Sequence, residues 1–146
     1  MKLGIYDVIN NPLPELLPIK EITVNKDDFE YVSDIVNIMN KHLYMDKLDS
    51  EHMYVLSLTY GLIPKGIIQI SIGNNEECVF NLRGLGIGLL LTGAEQFMIF
   101  HNHPGGNRIV SDDDQIITEK CKELGDVIGI PCINHIMITK GFYDFC

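Results

Sequence analysis

The stretch His101-Asn102-His103-Pro104-Gly105-Gly106 sets two of the chain's five histidines one residue apart, directly after the apolar run Phe97–Phe100. Side chains two apart in extended backbone share a side. Both imidazoles can therefore converge on one point where a buried strand runs out, and Pro104 stops that strand from continuing. Two neutral imidazole nitrogens, each about 2.0–2.1 Å from an ion, are a common start for a zinc site. The bend at Gly105–Asn107 lets the chain return, and Asp114, one turn into a helix opened by Ser111, can bring a carboxylate to the same point. Two His and one carboxylate fill three corners of a tetrahedron and leave the fourth for water, the open arrangement of a catalytic site. Such a site also needs a base, and Glu51 stands at the mouth of the apolar segment Met53–Leu58.

The same residues have plainer readings. A His-x-His at a strand end also describes a surface turn with two solvated imidazoles. Ser111-x-x-Asp114 reads as a helix capping box, and the run Asp112–Asp114 as charge complementing the helix dipole. Glu51 is one of twenty acidic residues and would sit equally well as a solvated strand-edge side chain. Residue type and spacing leave these alternatives open.

Positioning those side chains requires elements far apart in the sequence. Residues 1–24 read as an extended or irregular N-terminal segment, because Pro12, Pro14 and Pro18 forbid a continuous helix. Asn25 is a candidate N-cap for a helix carrying Phe29, Val32, Val36, Met39 and Leu43 at three- and four-residue steps. Residues 53–58 and 66–73 predict two strands of an antiparallel hairpin about Gly61–Lys65. A helix is expected from Asn81 to about Gln96; its Gly84, Gly86 and Gly88 suggest close packing on a sheet. Phe97–Phe100 predicts a strand buried on both faces. Ser111 opens a further helix expected to stop at Gly125, and 132–139 with 142–145 predict a hairpin around Lys140-Gly141. This order predicts an α/β or α+β sandwich, a mixed, largely antiparallel sheet flanked by helices, as a single domain over 25–146. A free sheet edge at 66–72 or 142–145 would offer an extended peptide a place to add as a strand.

Composition narrows the classes. The chain has 146 residues and is 46% hydrophobic, enough for one sizeable core. Its start does not read as a signal peptide. The longest apolar run, Leu85–Ala94, is about ten residues, half of what a bilayer crossing needs, so no membrane association is expected and a cytoplasmic location is the default. Cys78, Cys121, Cys132 and Cys146 form no C-x-x-C pair and read as buried free thiols. A formal net charge of −9 with no Lys/Arg cluster argues against nucleic acid as a partner.

His-x-His, seven residues, then Ser-x-x-Asp, with a glutamate upstream, resembles the JAMM signature of JAB/MPN metalloprotease-like domains. More closely, the chain is similar to RadC-type JAB domains from about Phe29 to Cys146, through "SEHMYVLSL", "ISIG", "NLRG", "FHNHPGG", "SDDD" and "INHIMIT". The resemblance implies the cytidine deaminase-like JAB/MPN architecture and a zinc-dependent hydrolase acting on a peptide, isopeptide or other amide bond of a peptide or protein substrate. It makes His101, His103 and Asp114 the Zn2+ ligands, Glu51 the general acid/base and Ser111 the hydrogen-bond donor to the developing oxyanion. Two alternatives accompany it: a non-catalytic zinc- or partner-binding module, and a RadC-like factor in DNA repair. The chain departs from the family pattern at Gly105, at Arg108–Val110, where prolines are usual, and at Asn134-His135, where an Asp-His pair is usual. His135 would orient the site from behind or be a satisfied core histidine; Arg83 matches a family position but reads more plainly as a surface arginine.

Overall fold

The structure, a computed structural model, describes residues 1–72 and 80–146. Its strands are β1 (Lys2–Asn10), β2 (Pro14–Thr23), β3 (His52–Leu58), β4 (Pro64–Ile72), β5 (Gln96–Asn102), β6 (Cys132–Thr139) and β7 (Phe142–Phe145). They form one open sheet in the order β2-β1-β4-β3-β5-β6-β7. The β1/β4 and β5/β6 pairs are parallel and the other four neighbours antiparallel. Three helices flank it: α1 (Val32–Leu43), α2 (Leu82–Thr92) and α3 (Asp112–Ile128). The expected mixed, largely antiparallel α+β sheet is therefore present. No helix among the described residues is long and apolar enough to cross a membrane.

Residues 1–24 are not irregular. They form the β1–β2 hairpin and join the same sheet, with Ile5 and Tyr6 beside Ile67 and Ile68 of β4. The prolines do exclude helix, but an outermost strand tolerates them. Pro14 opens β2, and Pro18 lies where the β1/β2 register shifts between Ile5 and Tyr6, so neither breaks the ladder. A second correction concerns 66–72: β4 lies between β1 and β3, so it offers no free edge of the kind β7 has.

The alternation of side chains along the central strands divides the core into two. Met98 and Phe100 of β5, with Leu56 and Leu58 of β3, pack against Ile35, Val36 and Met39 of α1. Phe97 and Ile99, with Met53 and Val55, face the opposite way, against Leu85 and Leu89 of α2 and Cys121 of α3. That parity positions the site: odd-numbered β5 residues point toward α3, and so do odd-numbered β3 residues. All seven β5 residues are buried, as its unbroken apolar run requires.

Helix ends differ from the expected ones for local reasons. Asn25 does not open α1; it precedes a 3-10 turn at Lys26–Phe29, where its backbone N–H donates to Asp28 Oδ2 at 3.3 Å. In α2, Gly88 lets the helix sit against Ile68, whose Cδ1 would lie 2.8 Å from an added Cβ. That helix stops at Thr92, because Gly93 takes φ +64°. Gly125 does not end α3. It stays helical where any Cβ would collide with the Ile130 carbonyl oxygen, and Gly129, at φ +74°, ends the helix instead. Cys121, Cys132 and Cys146 are free thiols; Cys78 lies outside the described residues.

Candidate metal centre

His101 occupies the last odd-numbered position of β5 and is 5% exposed. His103 follows beyond the strand, where its backbone N–H still donates to the Ile138 carbonyl at 2.9 Å and so continues the β5 direction. The chain then reverses, with Gly106 at φ +79°. Ser111 caps α3: the Asp114 N–H donates to Ser111 Oγ at 3.1 Å, and the Ser111 N–H donates to Asp114 Oδ2 at 2.9 Å. The capping box is thus real, and it also fixes the direction of Asp114.

His101 Nε2 lies 3.1 Å from His103 Nε2 and 3.2 Å from Asp114 Oδ1, while His103 Nε2 lies 3.2 Å from Asp114 Oδ2. Ligand atoms held tetrahedrally about 2.0–2.1 Å from zinc stand about 3.3 Å apart; the histidine pair and each histidine–carboxylate contact have that length, the two contacts reaching different oxygens of Asp114. Hydrogen bonding behind the rings settles what faces inward. The Asn107 carbonyl can only accept, so His103 Nδ1–H donates to it at 2.9 Å and Nε2 carries a lone pair. Thr118 Oγ1 donates its one proton to the Asp114 carbonyl at 2.8 Å and must therefore accept from His135 Nδ1–H at 2.5 Å. His135 Nε2 is left as the acceptor for His101 Nδ1–H at 2.7 Å, and His101 Nε2 is bare. Two imidazole lone pairs and a carboxylate meet with no proton of their own between them. Such a donor set fits a divalent cation of the zinc type.

A proton can stand at the same point as the cation. Burial alone would raise the Asp114 carboxyl, but hydrogen bonds from His101 and His103, made when the ring nitrogen facing it carries a proton, and one from the Ser111 backbone hold it far below the usual carboxylate range. Its partner His103 is raised, first by the Asp114 hydrogen bond. His135 is lowered to about 3, chiefly by burial, which keeps the ring neutral behind His101. His101, His135 and Cys146 also lie within metal-ligating reach of one another. The two ring nitrogens there already share a proton, however, and burial pushes the Cys146 thiol up to about 12, so that group is a hydrogen-bonded contact and not a ligand set.

Glu51 continues the odd-numbered face of β3 past Met53, which pairs with His101. It lines a cleft of about 560 Å³ together with His101, His103, Ser111 and Asp114. Burial raises its carboxyl, against the pull of His101 and His103 and with the push of Asp114. Asn102, fully buried between the two histidines, holds the segment bearing Glu51: Oδ1 accepts from His52 N–H at 2.7 Å, and Nδ2 donates to the Ser50 carbonyl at 3.0 Å. Sequence reasoning missed Asn102 and Thr118. Asn102 leaves a trace, a polar residue ending an apolar buried strand, and Thr118 another, a hydroxyl on the stripe of α3 that carries Asp114 and Cys121; buried groups of this kind must find partners. His135, 3% exposed, is hydrogen-bonded to both His101 and Thr118. Arg83 is exposed on the first turn of α2 and does not line the cleft.

The model of the RadC-like JAB domain matches residues 29–145. A UPF0758 protein of Clostridium acetobutylicum is 32% identical over 105 residues, which cover 70% of this chain and 46% of the relative. A UPF0758 protein of Flavobacterium johnsoniae is 28% identical over 132 residues, covering 90% of this chain and 54% of the relative. The chain spans about half the length of these curated relatives. With its mixed seven-stranded sheet and the family match over most of its length, the chain belongs to the RadC-like JAB domain family.

Proposed function

We propose that the protein is a zinc-dependent hydrolase of the JAMM type, acting on a peptide, isopeptide or other amide bond, with His101, His103 and Asp114 holding the ion. The observation that carries this reading is the convergence of two imidazole lone pairs and a carboxylate, 3.1–3.2 Å apart, in a cleft that Glu51 also lines. When bound, the ion supplies Lewis acidity, making a water nucleophilic near neutral pH and polarising the substrate carbonyl. Glu51 takes a proton from the attacking water and returns it to the leaving amine; its raised affinity for protons suits both halves of that transfer. Ser111 Oγ uses a lone pair to cap α3 and keeps its own proton to donate to the oxyanion that develops at the substrate carbonyl. Asn102 keeps Glu51 in register with the histidines.

The test separates holding the ion from using it. Elemental analysis of the purified protein should give one zinc per chain, absent in Asp114→Ala. Glu51→Gln should keep zinc and fold while losing amide hydrolysis by at least about 10²-fold. Equal zinc in the Asp114→Ala and unaltered proteins would remove the ligand assignment. Full hydrolysis by Glu51→Gln would remove the base.

A further inference from the structure

Beyond the metal-holding groups, the cleft has a chemically uneven wall. Asp113, Ile116, Ile117 and Lys120 of α3 all line it, at the i, i+3, i+4, i+7 spacing of one helical stripe. Ile116 is 49% exposed and Ile109, on the loop before the helix, 72%. These exposed branched aliphatics and buried Met53 line the same cleft as the candidate metal ligands and give it an apolar seat. Past that seat lies Lys120, the one Lys or Arg lining the cleft among the described residues, and it forms no ion pair with any of them. On a chain of net charge −9 such a cation is a distinctive place for an anion. Asp113 lines the same stripe a full seven residues earlier and disfavours an anion at the near end.

The separation sets a ruler. Lys120 is six residues beyond Asp114, about 9 Å along the helix at about 1.5 Å per residue. The ammonium rides on a flexible stem that spans several ångströms either way from that backbone position, and with an ammonium–carboxylate hydrogen bond of about 2.8 Å a carboxylate two residues of extended chain away, at about 3.3–3.6 Å each, falls within its reach. Resting on the hydrolytic reading above, we propose that the cleft takes short peptides with a branched aliphatic side chain next to the scissile bond, seated against Ile109 and Ile116, and a carboxylate two residues along, held by Lys120. The carboxylate is either the chain terminus or an acidic side chain.

The test uses the full chain carrying Glu51→Gln, in zinc, so that binding is read by calorimetry without turnover. The probes are acetyl-Gly-Ile-Ala with a free C-terminus, its C-terminal amide, and acetyl-Gly-Ile-Asp-amide. The free acid is expected to bind about fivefold tighter than the amide, the advantage shrinking with added salt. If the Asp-amide binds as tightly as the free acid, any carboxylate satisfies Lys120; if only the free acid gains, the chain terminus is read. Lys120→Ala should abolish the difference, Lys120→Glu should reverse it, and Ile116→Ser should weaken all three peptides alike. Equal binding of acid and amide, a difference that survives Lys120→Ala, or no binding of any probe at millimolar concentration overturns the proposal. The hydrolytic reading fails separately. If the protein with Glu51 restored cleaves acid and amide at equal rates, hydrolysis stands and the Lys120 inference falls. A Lys120-dependent binding preference with no cleavage has the opposite consequence.

Discussion

At the scale of single residues, the candidate centre is decided by where protons are. The chain Asp114 carbonyl–Thr118–His135–His101 leaves one nitrogen bare on His101, and the Asn107 carbonyl does the same for His103. Thr118→Val removes the acceptor for His135 Nδ1–H while nearly conserving shape, freeing His135 and, through it, His101 to change tautomer. Zinc affinity, measured by competition with a coloured chelator, should fall about 10–100-fold, and Thr118→Ser should restore it. Unchanged affinity in the valine variant would reduce Thr118 to packing. His101, His103, Asp114, Ser111 and Glu51 were all legible as candidates, because a ligand announces itself by type and spacing. Asn102 and Thr118 were not, because a buried amide or hydroxyl in a sequence says only that it needs partners; which partners depends on the neighbouring strand and helix.

Elements place these residues through parity and through their ends. Strands β3 to β7, their approximate bounds and the burial of β5 followed from apolar patterning, and the Lys140-Gly141 turn from its glycine, which takes φ +64°. Helix termini were harder. Gly125 reads as the stop in sequence, and only the approach of the Ile130 carbonyl shows why it must stay helical and leave the ending to Gly129. Gly125→Ala should therefore cost about 1–3 kcal/mol in urea unfolding, by forcing α3 away from the β6 entry. Gly129→Ala, with open space around its Cβ position but φ +74°, should cost about 1 kcal/mol. If the two costs came out in reverse order, the packing account of α3 would be wrong. The β1–β2 hairpin escaped notice because prolines signal "not helix" without distinguishing a loop from an edge strand.

For the molecule as a whole, the core between the sheet and α2 and α3 makes stability depend on pH in a definite direction. Burial pushes Cys121 up to about 12 and Cys132 up to about 11, from an ordinary value of 9.0. Between pH 9 and 11 an unfolded chain has shed thiol protons that the folded one keeps. The unfolded state binds fewer protons there, so stability falls as pH rises, by up to about 1.4 kcal/mol per pH unit for each thiol. Urea midpoints taken from pH 8 to 10.5 should drop accordingly, and Cys121→Ala should flatten the slope even while lowering stability at pH 8. A slope untouched by that substitution would place the alkaline sensitivity elsewhere.

Asn102's amide has an implication for how this scaffold can diverge. The three groups suited to gripping an ion come from one short, continuous piece of chain, residues 101–114, whereas Glu51 arrives from a different strand, secured by two hydrogen bonds from a single side chain. Descendants could therefore forfeit turnover through one change near position 51 or 102 and still retain the cation as a rivet. Inert and working versions of the same domain would then be nearly indistinguishable by metal content, and the fifty-first residue and its tether would be the places to tell them apart.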